Sequence, residues 1–276
     1  MSDLFNKLLI LRTPGIGPAK YSELVAKFGS VDAAADALGR DTAIRDAVMR
    51  EMECADKLHI YYICDTDEFY PANLREIKNH PPVITARGNL HTLTRAAVAI
   101  VGTRHATAAG MGFVAALAQV FAENGCAVVS GMAMGTDTAA HRGALRAAGD
   151  AQTIAVVAGG VDYIWPLENE SLYWDIVARG VIISEMPVGF VPKSTNFVQR
   201  NRWVAGIGEK LILGEADLNS GSMATARFAA QYGRQIYAIP SHPADSRGMG
   251  PNSLIQSGAA KLCMGPRDFF DNNEKS

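Results

Sequence analysis

The chain has 276 residues, 48% hydrophobic and 20% charged, which excludes a disordered chain and allows one large α/β domain with a small companion. Its formal net charge of −2 at pH 7 excludes a globally basic polyanion binder, so any affinity for nucleic acid must come from a local cluster of cations. Cys54, Cys64, Cys126 and Cys263 form no CxxC pair and no His stands at zinc-finger spacing, so free thiols in a reducing compartment and no metal site are expected.

Residues 1 to about 87 read as a small helical domain and linker. The opening MSDLFNKLLILRTPG has a short apolar run and no small-residue cleavage site, which predicts no signal peptide. Apolar residues then recur at helical spacing, interrupted by the turn Pro14-Gly15-Ile16-Gly17-Pro18. Pro18 suits the first position of a second helix, Gly29 its end, and Ser30 or Asp32 the cap of a third. HPPVITARGNL (80–90) breaks the pattern, and the boundary is placed there.

From residue 96 the rhythm changes. AVAIVG (97–102), AVVSG (127–131), TIAVVAGG (153–160), VIIS (181–184), KLILG (210–214) and QIYAIP (235–240) read as buried strands separated by helix-length stretches. This alternation predicts an α/β fold with a doubly wound, mostly parallel sheet over residues 88–270, followed by a tail, 271–276. No stretch reaches the roughly 18 apolar residues of a membrane span, so a cytoplasmic protein without a membrane partner is expected.

Several strands end in residues suited to holding an anion. Gly102-Thr103-Arg104 follows the first: glycine permits the turn, Thr103 offers a hydroxyl, and Arg104 offers a fork for phosphate. The spacing of Gly102, Gly110 and Gly112 is not that of a nicotinamide-dinucleotide site. Ser130 and Gly131 end the second strand and are expected to present amides to a phosphate, with Asp137 at the start of the next helix. His141, a lone histidine on that helix, reads as structural. In VPKSTNFVQRNRWVAG (191–206), Lys193, Arg200 and Arg202 flank Phe197, a pattern that suits phosphates on the cations and a base on the ring. Ser220-Gly221-Ser222 opens a further helix as another anion cradle. Each of these also has a structural reading, as a turn, a cap or a core anchor. Glu185 and Glu215 end strands without a partner carboxylate, Ser-His pair or metal cluster, so no catalytic residue is assigned.

AIVGTRHAT, VVSGMAMGTDTAAHRGAL, TIAVVAGGVDYIWPLEN, ISEMPVG, NFVQRNRWVAG, EADLNSGSMATARFAAQYGRQIYAIP and SRGMGPNSLIQSGA occur in an order that resembles the DNA-processing protein A family, DprA or Smf, over residues 60–265. LLILRTPGIGPAKYSELVAKFGS resembles the small SAM or helix-hairpin-helix-like domain that precedes the fold in many members. The winged-helix domain found at the C-terminus of many members has no counterpart in this sequence, and its roles are not carried over. Trp165 and Trp203 stand where other bulky apolar residues are expected, a departure read as harmless.

The resemblance implies an extended Rossmann-like fold that binds single-stranded DNA and loads the RecA recombinase onto it, in recombination and natural transformation. The implied DNA-binding residues are Gly102, Thr103, Arg104, Ser130, Gly131, Lys193, Phe197, Arg200, Asn201, Ser220, Gly221 and Ser222. It also implies a homodimer through residues 240–265 and no cofactor. Two other readings stay open at this point. One is a nucleotide hydrolase or phosphoribohydrolase on a related fold, although AGGVDYIWP lacks the loop such enzymes use. The other is a DNA-binding scaffold without a recombinase partner.

Overall fold

The computed structural model describes residues 3–38, 41–148 and 153–270; the predicted tail, 271–276, lies outside them. Four helices come first: α1 (Asp3–Arg12), α2 (Pro18–Phe28), α3 (Val31–Ala37) and α4 (Thr42–Lys57). Pro18 occupies the first turn of α2, where its missing N–H forfeits no helical bond. Gly29 closes α2 in the left-handed region, at φ 82°, and donates its N–H to the Val25 carbonyl at 2.9 Å. Ser30 caps α3 by accepting from the Ala33 N–H at 3.1 Å, and Asp41 caps α4 through Ala43 at 2.9 Å. Leu9, Ile10, Tyr21, Ala34 and Ala35 form the shared apolar core. The Arg12 fork holds both Glu51 oxygens at 2.7 Å and ties α1 to α4.

The remaining elements begin with β1 (Tyr61–Cys64), α5 (Ala72–Arg75), β2 (Val83–Gly88), β3 (Ala97–Val101), α6 (Ala108–Glu123), β4 (Ala127–Ser130) and α7 (Thr136–Ala144). They continue with β5 (Thr153–Val156), α8 (Glu170–Arg179), β6 (Val181–Ser184), α9 (Ser194–Ile207), β7 (Lys210–Leu213) and α10 (Gly221–Gln231). Last come β8 (Gln235–Ala238), α11 (Met249–Gln256), β9 (Lys261–Leu262) and α12 (Arg267–Phe270). All strands of the described residues form one sheet in the order β1-β2-β6-β5-β4-β3-β7-β8-β9. The pairings from β6 across to β9 are parallel, while β1–β2 and β2–β6 are antiparallel.

β3 shows why the sheet needs helices on both faces. Ala97, Ala99 and Val101 point into an apolar layer with Trp203 and Val204 of α9. Val98 and Ile100 point into the opposite layer with Leu117 and Phe121 of α6. All five residues of the strand are buried, as a central parallel strand requires. The chain leaves β3 toward β4, β5 and β6, then returns to β7 on the other side of β3. The strand order therefore reverses between β3 and β7, which opens a crevice at their carboxyl ends.

The six strands read from the sequence are present. The helical reading of residues 1 to about 87 needs correction, because β1 and β2 lie within it and join the sheet. Each is a short apolar run whose local pattern does not separate strand from helix. β2 is decided by pairing with β6, about a hundred residues away in the chain, as in the Thr85–Ser184 register, and β1 by pairing with β2 in turn.

Candidate functional site

Over the carboxyl ends of β3 and β4, beneath the starts of α9 and α10, lies a hollow of about 450 Å³. It gathers ten of the twelve residues singled out in the sequence: Gly102, Thr103, Arg104, Gly131, Phe197, Arg200, Asn201, Ser220, Gly221 and Ser222. The first turns of α9 and α10 line it, bringing the positive ends of two helix dipoles to one place.

Arg104 is exposed, and its guanidinium lies over two aromatic rings, 5.1 Å from the centre of Trp165 and 5.9 Å from that of Phe197. The two rings are 4.4 Å apart and tilted by 56°. Among the described residues the guanidinium has no hydrogen bond and no acidic partner. Its backbone, by contrast, is held firmly. The Thr103 N–H donates to the Glu215 carbonyl at 2.6 Å, and Thr103 Oγ1 accepts from the His105 N–H at 3.2 Å. Gly135 packs against this turn at φ 76°, where a Cβ would stand 2.5 Å from the Thr103 oxygen and 2.6 Å from that of Arg104. The site thus presents a fixed turn carrying an uncommitted cation.

Arg200 is the opposite case. It is buried beneath the hollow and donates through Nη1 to the Gly131 and Val156 carbonyls and through Nε to Asn201 Oδ1 at 3.1 Å. Burial pulls its pKa down to about 10; Asp137 opposes that shift and Arg104 adds to it. Arg200 therefore stays charged at neutral pH, but its donors clamp the ends of β4 and β5. Asp137 is buried beside it and accepts from the N–H groups of Gly131 at 3.2 Å and Ala133 at 3.3 Å. Burial raises the Asp137 pKa against the pull of Arg200 and these amides.

The expectation that Ser130 and Gly131 present amides to a phosphate is corrected at Gly131, and the Ser130 side chain faces away from the hollow as well. The Gly131 N–H is already held by Asp137. Ser130 is fully buried and donates its hydroxyl to the Ile100 carbonyl at 2.7 Å, which joins the ends of β3 and β4. The serines of the α10 cradle are partly committed too. Ser220 caps the helix through the Met223 N–H at 3.3 Å, and Ser222 donates to the Gly102 carbonyl at 2.6 Å. Asn201 donates to the Gly221 carbonyl at 3.2 Å and locks α9 to α10. Lys193 is exposed and does not line the hollow; it stands immediately before Ser194, which does. Trp165, on the loop after β5, is the residue the sequence reading missed. The available signal was a large aromatic in a loop that leaves a strand's carboxyl end through Gly159-Gly160.

The acids and histidine near the strand ends have structural partners. Glu215 accepts from the Thr107 N–H at 2.7 Å and the Thr107 hydroxyl at 2.6 Å, so a carboxylate already occupies the start of α6. Glu185 meets Arg202 at 3.5 Å, and burial raises its pKa. His141 is buried with Nδ1 2.7 Å from Thr153 Oγ1, and burial pulls its pKa down to about 3, which keeps it neutral. The described residues contain no group of three His, Cys, Asp or Glu able to hold a metal, and no helix among them is long and apolar enough to cross a membrane.

Comparison with known proteins gives the family. The family described as DNA recombination-mediator protein A matches residues 61–274, and the DprA-like N-terminal HHH domain matches residues 2–59. Protein Smf of Synechocystis is 37% identical over 202 residues, covering 72% of this chain and 50% of that protein, so the chain spans half the length of this relative. The X-ray structure of DNA processing protein A from Streptococcus pneumoniae superposes with a TM-score of 0.79 at 29% identity, covering 100% of this chain and 99% of the other. DNA processing protein A from Helicobacter pylori, in a structure concerned with its single-stranded DNA binding mode, gives 0.70 at 30% identity, covering 77% of this chain and 94% of that one.

Proposed function

The chain belongs to the DNA recombination-mediator protein A family, and we propose that it binds single-stranded DNA in the hollow over the ends of β3 and β4 and delivers the strand to the RecA recombinase. The observation that carries this reading is the exposed Arg104 guanidinium, without a partner among the described residues, lying across Trp165 and Phe197. A backbone phosphate suits that fork, and a base suits the face of Phe197. The dipoles of α9 and α10 favour the same negative charge. Gly221 leaves the first turn of α10 open to the strand, whereas Gly102 makes room for the Thr136 side chain and Thr103 holds the turn that carries Arg104. Lys193 adds charge beside the hollow, and Arg200, Asn201, Ser130, Ser220 and Ser222 hold its walls in place.

In this reading the protein is a binding protein that works in the cytoplasm as a homodimer, with its division into units falling between α4 and β1. A nucleotide hydrolase or phosphoribohydrolase finds less support. A nucleotide phosphate seated at the start of α6 would meet the Glu215 carboxylate. Titration of labelled single-stranded, duplex and mononucleotide ligands tests the binding step. Preference for the single strand is expected, and preference for the mononucleotide with its turnover would overturn it. RecA filament growth on DNA precoated with single-strand-binding protein tests delivery: the protein is expected to shorten the lag, and an unchanged lag would leave binding without delivery.

A further inference from the structure

Trp165 differs from the other two tryptophans. Trp203 is 2% exposed and belongs to the core under β3. Trp174 lies on the outer face of α8 with Arg87 at 4.8 Å. Trp165 is half-buried, lies outside the apolar core clusters of the described residues, and lines the hollow. Its ring and that of Phe197 form a wedge, with centres 4.4 Å apart and planes inclined by 56°, and the Arg104 guanidinium sits within reach of both.

We propose that Trp165 is a second base-stacking residue and that the Trp165–Phe197 wedge selects single strands by splaying two successive bases. This rests on the reading of the hollow as a single-strand site. Bases in a regular strand lie parallel, about 3.4 Å apart along the axis. Two such bases cannot both lie flat on rings inclined by 56°. One base on Phe197 and its neighbour on Trp165 must open a gap in the stack. Arg104, which lies over both rings, is placed to take the phosphate between them. A single strand opens such a gap readily, because stacking on the two side chains replaces stacking between the bases. A duplex must also break its pairs, at a further cost of a few kcal/mol. The wedge therefore gives selectivity for strandedness without reading sequence, because every base has a face to stack.

The test uses the full chain and an oligonucleotide with two adjacent 2-aminopurines, whose coupled circular-dichroism band is lost when the two bases separate. Wild type is expected to abolish that band on binding. Trp165→Ala should leave it in place and bind the single strand about 5- to 150-fold more weakly, the loss expected for one base–aromatic contact. Its slope of log affinity against log salt should not change, because no phosphate contact is removed. Trp165→Phe should restore much of both signals. Trp165→Leu, which fills space without a π face, should restore neither. Wild-type affinity in Trp165→Leu would show that Trp165 only props Phe197, and complete loss of the band on binding to Trp165→Ala would show that it does not separate the bases; either would overturn the proposal. Such a result alongside weak binding by Arg104→Ala leaves the single-strand site standing. Failure of wild type to bind the oligonucleotide would remove both.

Discussion

Replacing Arg104 by alanine separates a phosphate contact from a structural arginine. The guanidinium makes no hydrogen bond or ion pair among the described residues; its contacts there are with the Trp165 and Phe197 faces, at 5.1 and 5.9 Å. Exposed cation–π contacts are worth about 0.5–1 kcal/mol, so the fold should lose no more than about 1 kcal/mol. A charge-assisted bond to phosphate is worth about 1.5–3 kcal/mol, and each 1.4 kcal/mol is tenfold in affinity. Arg104→Ala should therefore bind single-stranded DNA about 10- to 100-fold more weakly while melting within a few degrees of wild type. Fluorescence anisotropy over a salt series adds a second criterion. One lost phosphate contact should reduce the salt slope by about 0.7, equally for any base sequence. Arg104→Lys should recover only part of the loss, because an ammonium does not reproduce the fork. Full single-strand affinity in a folded Arg104→Ala protein would refute the assignment.

Three further outcomes follow from the packing around the site. Arg200→Leu leaves Asp137 buried without its charge partner and should cost about 3–5 kcal/mol in urea denaturation; an unchanged midpoint would show that the clamp on β4 and β5 is dispensable. Gly135→Ala forces a side chain into a φ of 76° against Thr103 and Arg104, so it should cost about 1–3 kcal/mol and weaken single-strand binding although Gly135 does not line the hollow. His80 lies 3.4 Å from Asp65, and that bond raises the His80 pKa above its ordinary 6.5. Burial pushes the Asp65 pKa up, but bonds from His80 and Lys7 outweigh it and hold Asp65 below its ordinary 3.8. The pair therefore contributes fully between pH 3.8 and 6.5; its contribution falls as pH rises through the His80 value or drops through the Asp65 value. The melting temperature of His80→Gln should lag wild type most inside that window, by the equivalent of about 1 kcal/mol or less, and a lag independent of pH would contradict the pairing.

The parallel half of the sheet is legible in the sequence because its buried strands are uniformly apolar and end in Gly or Ser, as in AVAIVG and AVVSG. The caps at Gly29 and Ser30 are legible because they rest on local backbone geometry. β1, β2 and the two-residue β9 are not, since the partners they pair with in the sheet define them, and that of β2 lies about a hundred residues away. The same limit governs the site. Arg104 and Arg200 both stand in anion-binding patterns, yet one lies on the surface and the other beneath it. The difference arises because the Gly131 and Val156 carbonyls, from strands far away in the chain, converge on Arg200. Ser130 reads as a ligand-facing serine, but its hydroxyl turns toward Ile100 of the neighbouring strand. Trp165 reads only as a harmless departure at a bulky apolar position, and the fold sets it against Phe197.

The most direct measurement maps where the strand lies. Single-stranded oligonucleotides carrying iodouracil, which couples to nearby aromatic side chains on irradiation, can be cross-linked to the full chain and the adducts located by mass spectrometry. Adducts on Phe197 or Trp165 are expected, reduced in Arg104→Ala and competed by unlabelled single strands but not by duplex. Adducts confined to helices α1–α4 or to the sheet edge at β9, with neither ring modified, would contradict the placement of single-stranded DNA in the hollow over the ends of β3 and β4.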